Sequence, residues 1–277
     1  MRFGLYLRNM GPASEPTTLV ESARAAERAG VEELWVADHI AIPPDEAEGS
    51  NGRYLDPLAT LAYLAAATEK VKLGTGVLVL PYRSPLPTAK WVATIQELSG
   101  GRLMFGAGVG WMKPEFDVLG VDRGRRGAVT DRTLDLIVRC FADDVVEENG
   151  QAFLFRPRPP RPEILIGGSA PHALARAVRF GDGWMPIGGD ASSLGEPIRQ
   201  LAEMAAAAGK PAPQVVLITG LALEDRARAV DQVAQLAAVG VTGVVHGLRY
   251  ETAAEFAHAA EGLAAVADEV ATGGSTP

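Results

Sequence analysis

The chain is poor in the residues that staple a fold or hold a metal. Its 277 residues include one cysteine, Cys140, and four histidines. A single thiol excludes an intrachain disulfide and a thiolate metal cluster. No HxH or HExxH spacing gathers the histidines as ligands, so no metal site is expected. Basic residues are the minority, 26 Lys and Arg against 34 Asp and Glu, for a net charge of −8. Without a basic stripe, nucleic acid is not an expected partner. No apolar run approaches the roughly 18 residues of a membrane span, so no membrane partner is expected either. The opening MRFGLYLRNM reads as a strand and lacks the apolar core and cleavage site of a signal peptide. These absences make the cytoplasm the simplest location.

What is present is a hydrophobic fraction of 47%, ample for a large core, laid out in regular alternation. RFGLYL, ELWVAD, KLGTGVLVL, RLMFGAG, EILIGG, DGWMPIGG, QVVLITGL and GVVHGL read as short apolar strands, each leading to a helical pattern. Such alternation implies a parallel sheet covered by helices. Eight units favour closure into an α/β TIM (β/α)8 barrel over an open doubly wound sheet. Asp56 and Pro57 mark the N-cap and first position of one helix. VGWMKPEFDVLGVDRGRRG reads as a long loop. VVEENGQAFLF reads as a hairpin turning at Asn-Gly, and RPRPPRP after it is extended. Together they form an insertion, about residues 143–162, before the fifth barrel strand. The rest is one domain, residues 1–270, and the small polar residues 271–277 are expected to form a disordered tail.

Barrels of this kind carry their chemistry at the C-terminal ends of the strands. That rule selects Asp38-His39 after the second strand, since imidazole exchanges protons near neutral pH and a carboxylate beside it can orient it. Pro81, Tyr82 and Arg83 follow the third strand, and Gly108, Gly110, Trp111 and Glu115 the fourth. FGAGVGW is an imperfect dinucleotide fingerprint, its third glycine misplaced; its glycines suit a strand end that approaches a flat ligand, and Trp111 either walls that ligand or packs under the loop. IGGSAPHALARA runs from a strand through Gly167, Gly168 and Ser169 into a helix start. Amides there suit a phosphate, although the same letters make an ordinary tight turn capped by Ser169. His172, His246 and His258 are weaker candidates: His246 ends the last strand, at a place open to the pocket, and His258 lies within the last helix as a surface or packing residue. Gly74 and Gly76 inside KLGTGVLVL mark a bend or a close approach of backbone.

WVADHI, DPLATLAYLAAATEKVKLGTGVLVLPYRSPL, AKWVATIQELSGGRLMFGAGVGW, EFDVLGV and ILIGGSAPHALARAVRFGDGW, in this order from Met1 to about Pro186, resemble the luciferase-like monooxygenase superfamily, and within it the coenzyme F420-dependent oxidoreductase branch. The resemblance implies a TIM barrel, a homodimer and a bulged third strand, with a non-proline cis peptide at Gly76-Val77 behind the central ring of a flavin-like cofactor. It implies His39 as proton donor or acceptor beside that ring and Asp38 at the ring's polar edge. Thr75, Gly76, Val77, Ala107 and Gly108 would line the ring or ribityl chain. Gly167, Gly168 and Ser169 would hold the cofactor phosphate, and Tyr6 and Trp111 would border the substrate.

The chain also departs from the pattern. Arg126-Gly127 and Asp131 fit, but Arg132 stands where a glutamate is usual, and Val109-Gly110 replace the acidic residue of sugar-phosphate-oxidising relatives. The expected activity is hydride transfer between C5 of the deazaflavin F420 and a small organic substrate. An FMN-dependent monooxygenase is the alternative, and a barrel that has lost its cofactor and catalysis is a third reading.

Overall fold

Proline and glycine set the limits of the first helices. The computed structural model describes residues 1–273. Strand β1 (Arg2–Tyr6) leads to α1 (Pro16–Ala29), which opens on a proline and closes on Gly30 at φ 82°. After β2 (Glu33–Val36), α2 (Pro57–Ala67) starts where expected: the Asp56 carboxylate accepts from the amides of Leu58 and Ala59. Then come β3 (Lys72–Val79), α3 (Pro85–Leu98) and β4 (Leu103–Gly108).

The stretch after β4 is not the expected loop. It holds a short helix, α4 (Lys113–Leu119), with Pro114 in its first turn and Gly120 at φ 66° as its stop. The following helix α5 (Arg126–Ala142) begins earlier than the apolar pattern indicates. The insertion is a hairpin of β5 (Val145–Glu148) and β6 (Gln151–Leu154), and both turn residues, Asn149 and Gly150, have positive φ. The order continues β7 (Glu163–Gly167), α6 (His172–Phe180), β8 (Gly183–Met185), α7 (Ala191–Ala207), β9 (Gln214–Thr219), α8 (Arg226–Ala238), β10 (Gly243–His246) and α9 (Ala253–Gly273). The last helix thus includes residues 271–273 of the expected tail; 274–277 lie outside the described residues.

Eight parallel strands close in the order β1-β10-β9-β8-β7-β4-β3-β2, a TIM barrel. Leu, Val, Ile and Phe side chains on the outer face of the strands pack against the helices. The inner face is a separate plug of Trp35, Met104, Leu165, Met185, Val216, Ile218 and Val245. Trp35 explains Gly74. A Cβ there would sit 2.3 Å from the indole ring, so β3 must be bare where it passes the largest interior side chain.

The second irregularity of β3 is of another kind. Register with β4 slips between Thr75 and Leu78, and the Gly76-Val77 peptide is cis, as the resemblance implies. The slip brings the Thr75 carbonyl so close that a Cβ on Gly106 would lie 2.0 Å from it. The bulge therefore sits near the C-terminal rim, with Val77 partly exposed above the plug.

Candidate active site

The rim of β2 carries two side chains with different employment. Asp38 is buried, and its oxygens are committed: Oδ2 accepts from the Val79 amide (2.7 Å) and Arg83 Nη1 (2.6 Å), and Oδ1 accepts from Arg83 Nη2 (2.8 Å). Arg83 also reaches Asp56, the cap of α2. Asp38 lines the central cavity, but its hydrogen bonds tie the ends of β2 and β3 together.

His39 is partly exposed and faces that cavity. Its Nδ1 lies 3.0 Å from Glu115 Oε2, which comes from α4. Glu115 is fully buried, and its Oε1 accepts from the Ile40 (2.6 Å) and Ala41 (3.0 Å) amides while Oε2 also accepts from the Tyr82 hydroxyl (3.0 Å). Burial opposes ionisation of this carboxyl, yet the His39 hydrogen bond and the two amides outweigh it and hold the group at about 2. Burial and the Glu115 charge push the Tyr82 phenol upward, so it stays a donor. An ionised carboxylate only accepts, so Nδ1 carries the proton of the imidazole. Among the described residues nothing bonds Nε2, which is left for whatever enters the cavity. Tyr54 and Trp111 meet the ring edge-on at 4.9 and 6.3 Å between centroids.

Val77 and Tyr6 shape the floor. The Tyr6 hydroxyl donates to the Gly76 carbonyl (2.7 Å), and burial pushes that phenol upward, so it remains protonated and pinned to the bulge. Gly108 and Gly167 make room first for Val77: a Cβ on either would lie 2.4 or 2.7 Å from the valine methyls. Thr75 and Ala107, expected against a cofactor, are fully buried and do not line the cavity; Thr75 instead donates to the Gly106 carbonyl (2.7 Å). Trp111 is 63% exposed and lines the cavity, so it is not packed under the loop.

The central cavity, about 200 Å³, is the middle of a trench. Through Val109, Trp111, Gly167 and Gly168 it borders a cavity of about 500 Å³ that contains Ser169, Arg123, Arg126, His172 and Arg176. Through Tyr6 and Ala37 it borders another of about 660 Å³, with Arg8, Met10, Glu48 and Tyr250. Gly168 adopts φ 113°, and its carbonyl accepts from Trp184 Nε1 (2.7 Å). Ser169 does not cap α6, whose start at His172 has no side-chain cap.

The family model of luciferase-like monooxygenases matches residues 1–276. The chain belongs to the luciferase-like monooxygenase family. An uncharacterized protein of Mycobacterium tuberculosis is 30% identical over 286 aligned positions, 96% of this chain and 98% of that protein. Among solved structures, an F420-dependent secondary alcohol dehydrogenase in complex with an F420-acetone adduct matches with TM-score 0.81 at 17% identity, over 97% of this chain and 98% of that one. The oxygenating constituent of 3,6-diketocamphane monooxygenase from Pseudomonas putida, in complex with FMN, matches with TM-score 0.78 at 14% identity, over 98% of both chains. The likeness to these two structures is one of fold.

Against this luciferase-like frame, several sequence expectations need adjustment. His246 does not face the trench: it is buried, its Nδ1 accepts from the Leu221 amide (2.9 Å), and burial pushes it down to about 4. His258 is exposed on α9. Arg132 is not a stranded cation, since it pairs with Glu148 of the hairpin at 2.7 Å. The residue that sequence reasoning left without a role is Glu115. The signal for it was a proline-initiated, glycine-terminated helix in KPEFDVLG, which would have turned a loop position into a fixed one. No described cluster of His, Cys, Asp and Glu suits a metal, and no described helix is long and apolar enough to cross a membrane.

Proposed function

We propose that this luciferase-like protein is a coenzyme F420-dependent oxidoreductase acting on a small organic substrate, with His39 as the proton donor or acceptor. The observation that carries the reading is the pairing of His39 with an ionised Glu115 at the edge of a cavity floored by the Val77 bulge. The residues present suit such a cofactor. Gly108 and Gly167 lack the side chains that would displace Val77, and the trench runs on to the Gly167–Ser169 turn, where a phosphate would rest. A bound deazaflavin supplies the hydride chemistry.

The protein's own part is to position and to handle one proton. Tyr82 and the Ile40 and Ala41 amides hold the Glu115 carboxylate, which holds Nδ1–H of His39. Nε2 is then the atom that exchanges the proton: it accepts from the substrate when the ring is neutral and donates when the ring is charged. Trp111 and Tyr54 limit the orientations of the ring. The larger cavity beside Tyr6 and Met10 is the space for substrate. The same proposal includes a homodimer, for which Tyr63, Trp91 and Leu98, exposed on the neighbouring helices α2 and α3, offer an apolar face.

The FMN reading draws support from the FMN-containing monooxygenase of the same fold. Titration of the apoprotein with F420 and with FMN, followed by fluorescence and absorbance, separates the two. Saturable F420 binding with weak or absent FMN binding is expected. Tight FMN binding alone reverses the assignment, and failure to bind either leaves a barrel without a cofactor.

A further inference from the structure

The cavity beyond the Gly167–Ser169 turn holds more positive charge than one phosphate requires. Among the described residues no acidic side chain lines it, in a protein of net charge −8. Arg176 is neutralised by Asp131 at 2.6 Å, and Gly127 is bare where a Cβ would lie 2.8 Å from the Arg176 guanidinium. Arg123 and Arg126 are different. Among the described residues no carboxylate pairs with either; Arg126 Nη1 donates only to the Arg123 carbonyl (2.9 Å). Two helices, α5 and α6, begin at this cavity, each without a side-chain cap and without an acidic residue in its first turn. Their amide ends add to the same sign of potential.

We propose that Arg123 and Arg126 form a second anion subsite, beyond the phosphate turn, that takes the carboxylates of an acidic, glutamyl-bearing cofactor tail. The inference rests on the F420 reading and sharpens it. F420 continues past its phosphodiester into a lactyl-glutamyl chain, whereas FMN ends at its phosphate. A turn of backbone amides serves both, but two unpaired guanidiniums farther along the trench favour only a cofactor that carries further negative charge to them. Because Arg123 is exposed, the contact weakens with salt.

Dissociation constants of the intact protein for four ligands test this: glutamylated F420, the same phospholactyl deazaflavin without glutamate, the deazaflavin riboside without phosphate, and FMN. The wild type is expected to bind the glutamylated form about tenfold more tightly than the unglutamylated one, the gain of one charge-assisted contact, with the ratio shrinking in high salt. The double variant Arg123→Ala/Arg126→Ala should bring that ratio near one while leaving the unglutamylated form and FMN within about twofold of their wild-type values. Equal wild-type affinity with and without glutamate overturns the inference and leaves the F420 assignment standing. Equal weakening of every phosphate-bearing ligand in the double variant also overturns it, because the arginines would then hold the phosphate. Failure of all deazaflavins to bind overturns the inference together with the functional reading.

Discussion

His39 and His246 stand at equivalent places, just past β2 and at the end of β10, yet they share little else. His39 borders the trench with a carboxylate on Nδ1 and an open Nε2. His246 is buried, and its Nδ1 accepts from a backbone amide; burial outweighs the opposing pull of the Glu224 charge, and the ring stays neutral down to about 4. Topology puts both rings at the rim where barrel enzymes act. The partner atom leaves His39 with a free nitrogen at the trench and makes His246 a packed ring.

Replacing each ring by asparagine breaks the comparison most directly. His39→Asn should lower turnover by roughly 10² to 10⁴, the usual share of general acid–base catalysis, while cofactor affinity changes little. His246→Asn keeps an acceptor for the Leu221 amide and should leave turnover within a few fold. Equal losses in the two variants, measured as kcat on any substrate found, would show that rim position matters and the partner does not.

The next effect is on stability. Between pH 6.5 and 4 the unfolded chain protonates His246 and the folded protein does not, so stability falls as pH falls through that window. The loss attributable to this ring is at most roughly 3 kcal/mol. His246→Asn should remove it, read as urea midpoints at pH 7 and pH 4.5. Glu115 acts lower: its depressed pKa contributes stability that is intact above 4.5 and lost as pH falls toward about 2, so the two windows meet only near pH 4 to 4.5.

Glu115→Gln should lower kcat by at least about tenfold with KM nearly unchanged, because the imidazole loses the carboxylate that orients it and selects its tautomer. Ring-nitrogen chemical shifts of His39 should show the tautomer becoming mixed; an unaltered tautomer would remove Glu115 from the mechanism. The smallest expected effect is at the floor. Gly108→Ala places a methyl against Val77 and should weaken cofactor binding by about tenfold, and Val77→Ala in the same chain should restore much of it.

The barrel was legible because strands and helices alternate with few interruptions, and the Asp56 cap and Asn149-Gly150 turn were legible because each acts within a few residues. Gly74 was visibly odd, but its cause, Trp35, lies on the neighbouring strand and cannot be read from β3. Thr75 and Ala107 were expected at the surface of the cavity because the family resemblance implies it; the bulge turns Val77 outward and leaves them below. Glu115 lies 76 residues from His39, and only the fold of α4 reveals that the two meet.

The two backbone amides that Glu115 accepts, from Ile40 and Ala41, root the segment that continues through Glu48 and Gly49 to the edge of the largest cavity of the trench. One carboxylate thus anchors a backbone segment as well as orienting a ring. The same side chain therefore fixes both the imidazole of His39 and the start of the chain that walls that cavity, and a change at position 115 reaches both at once.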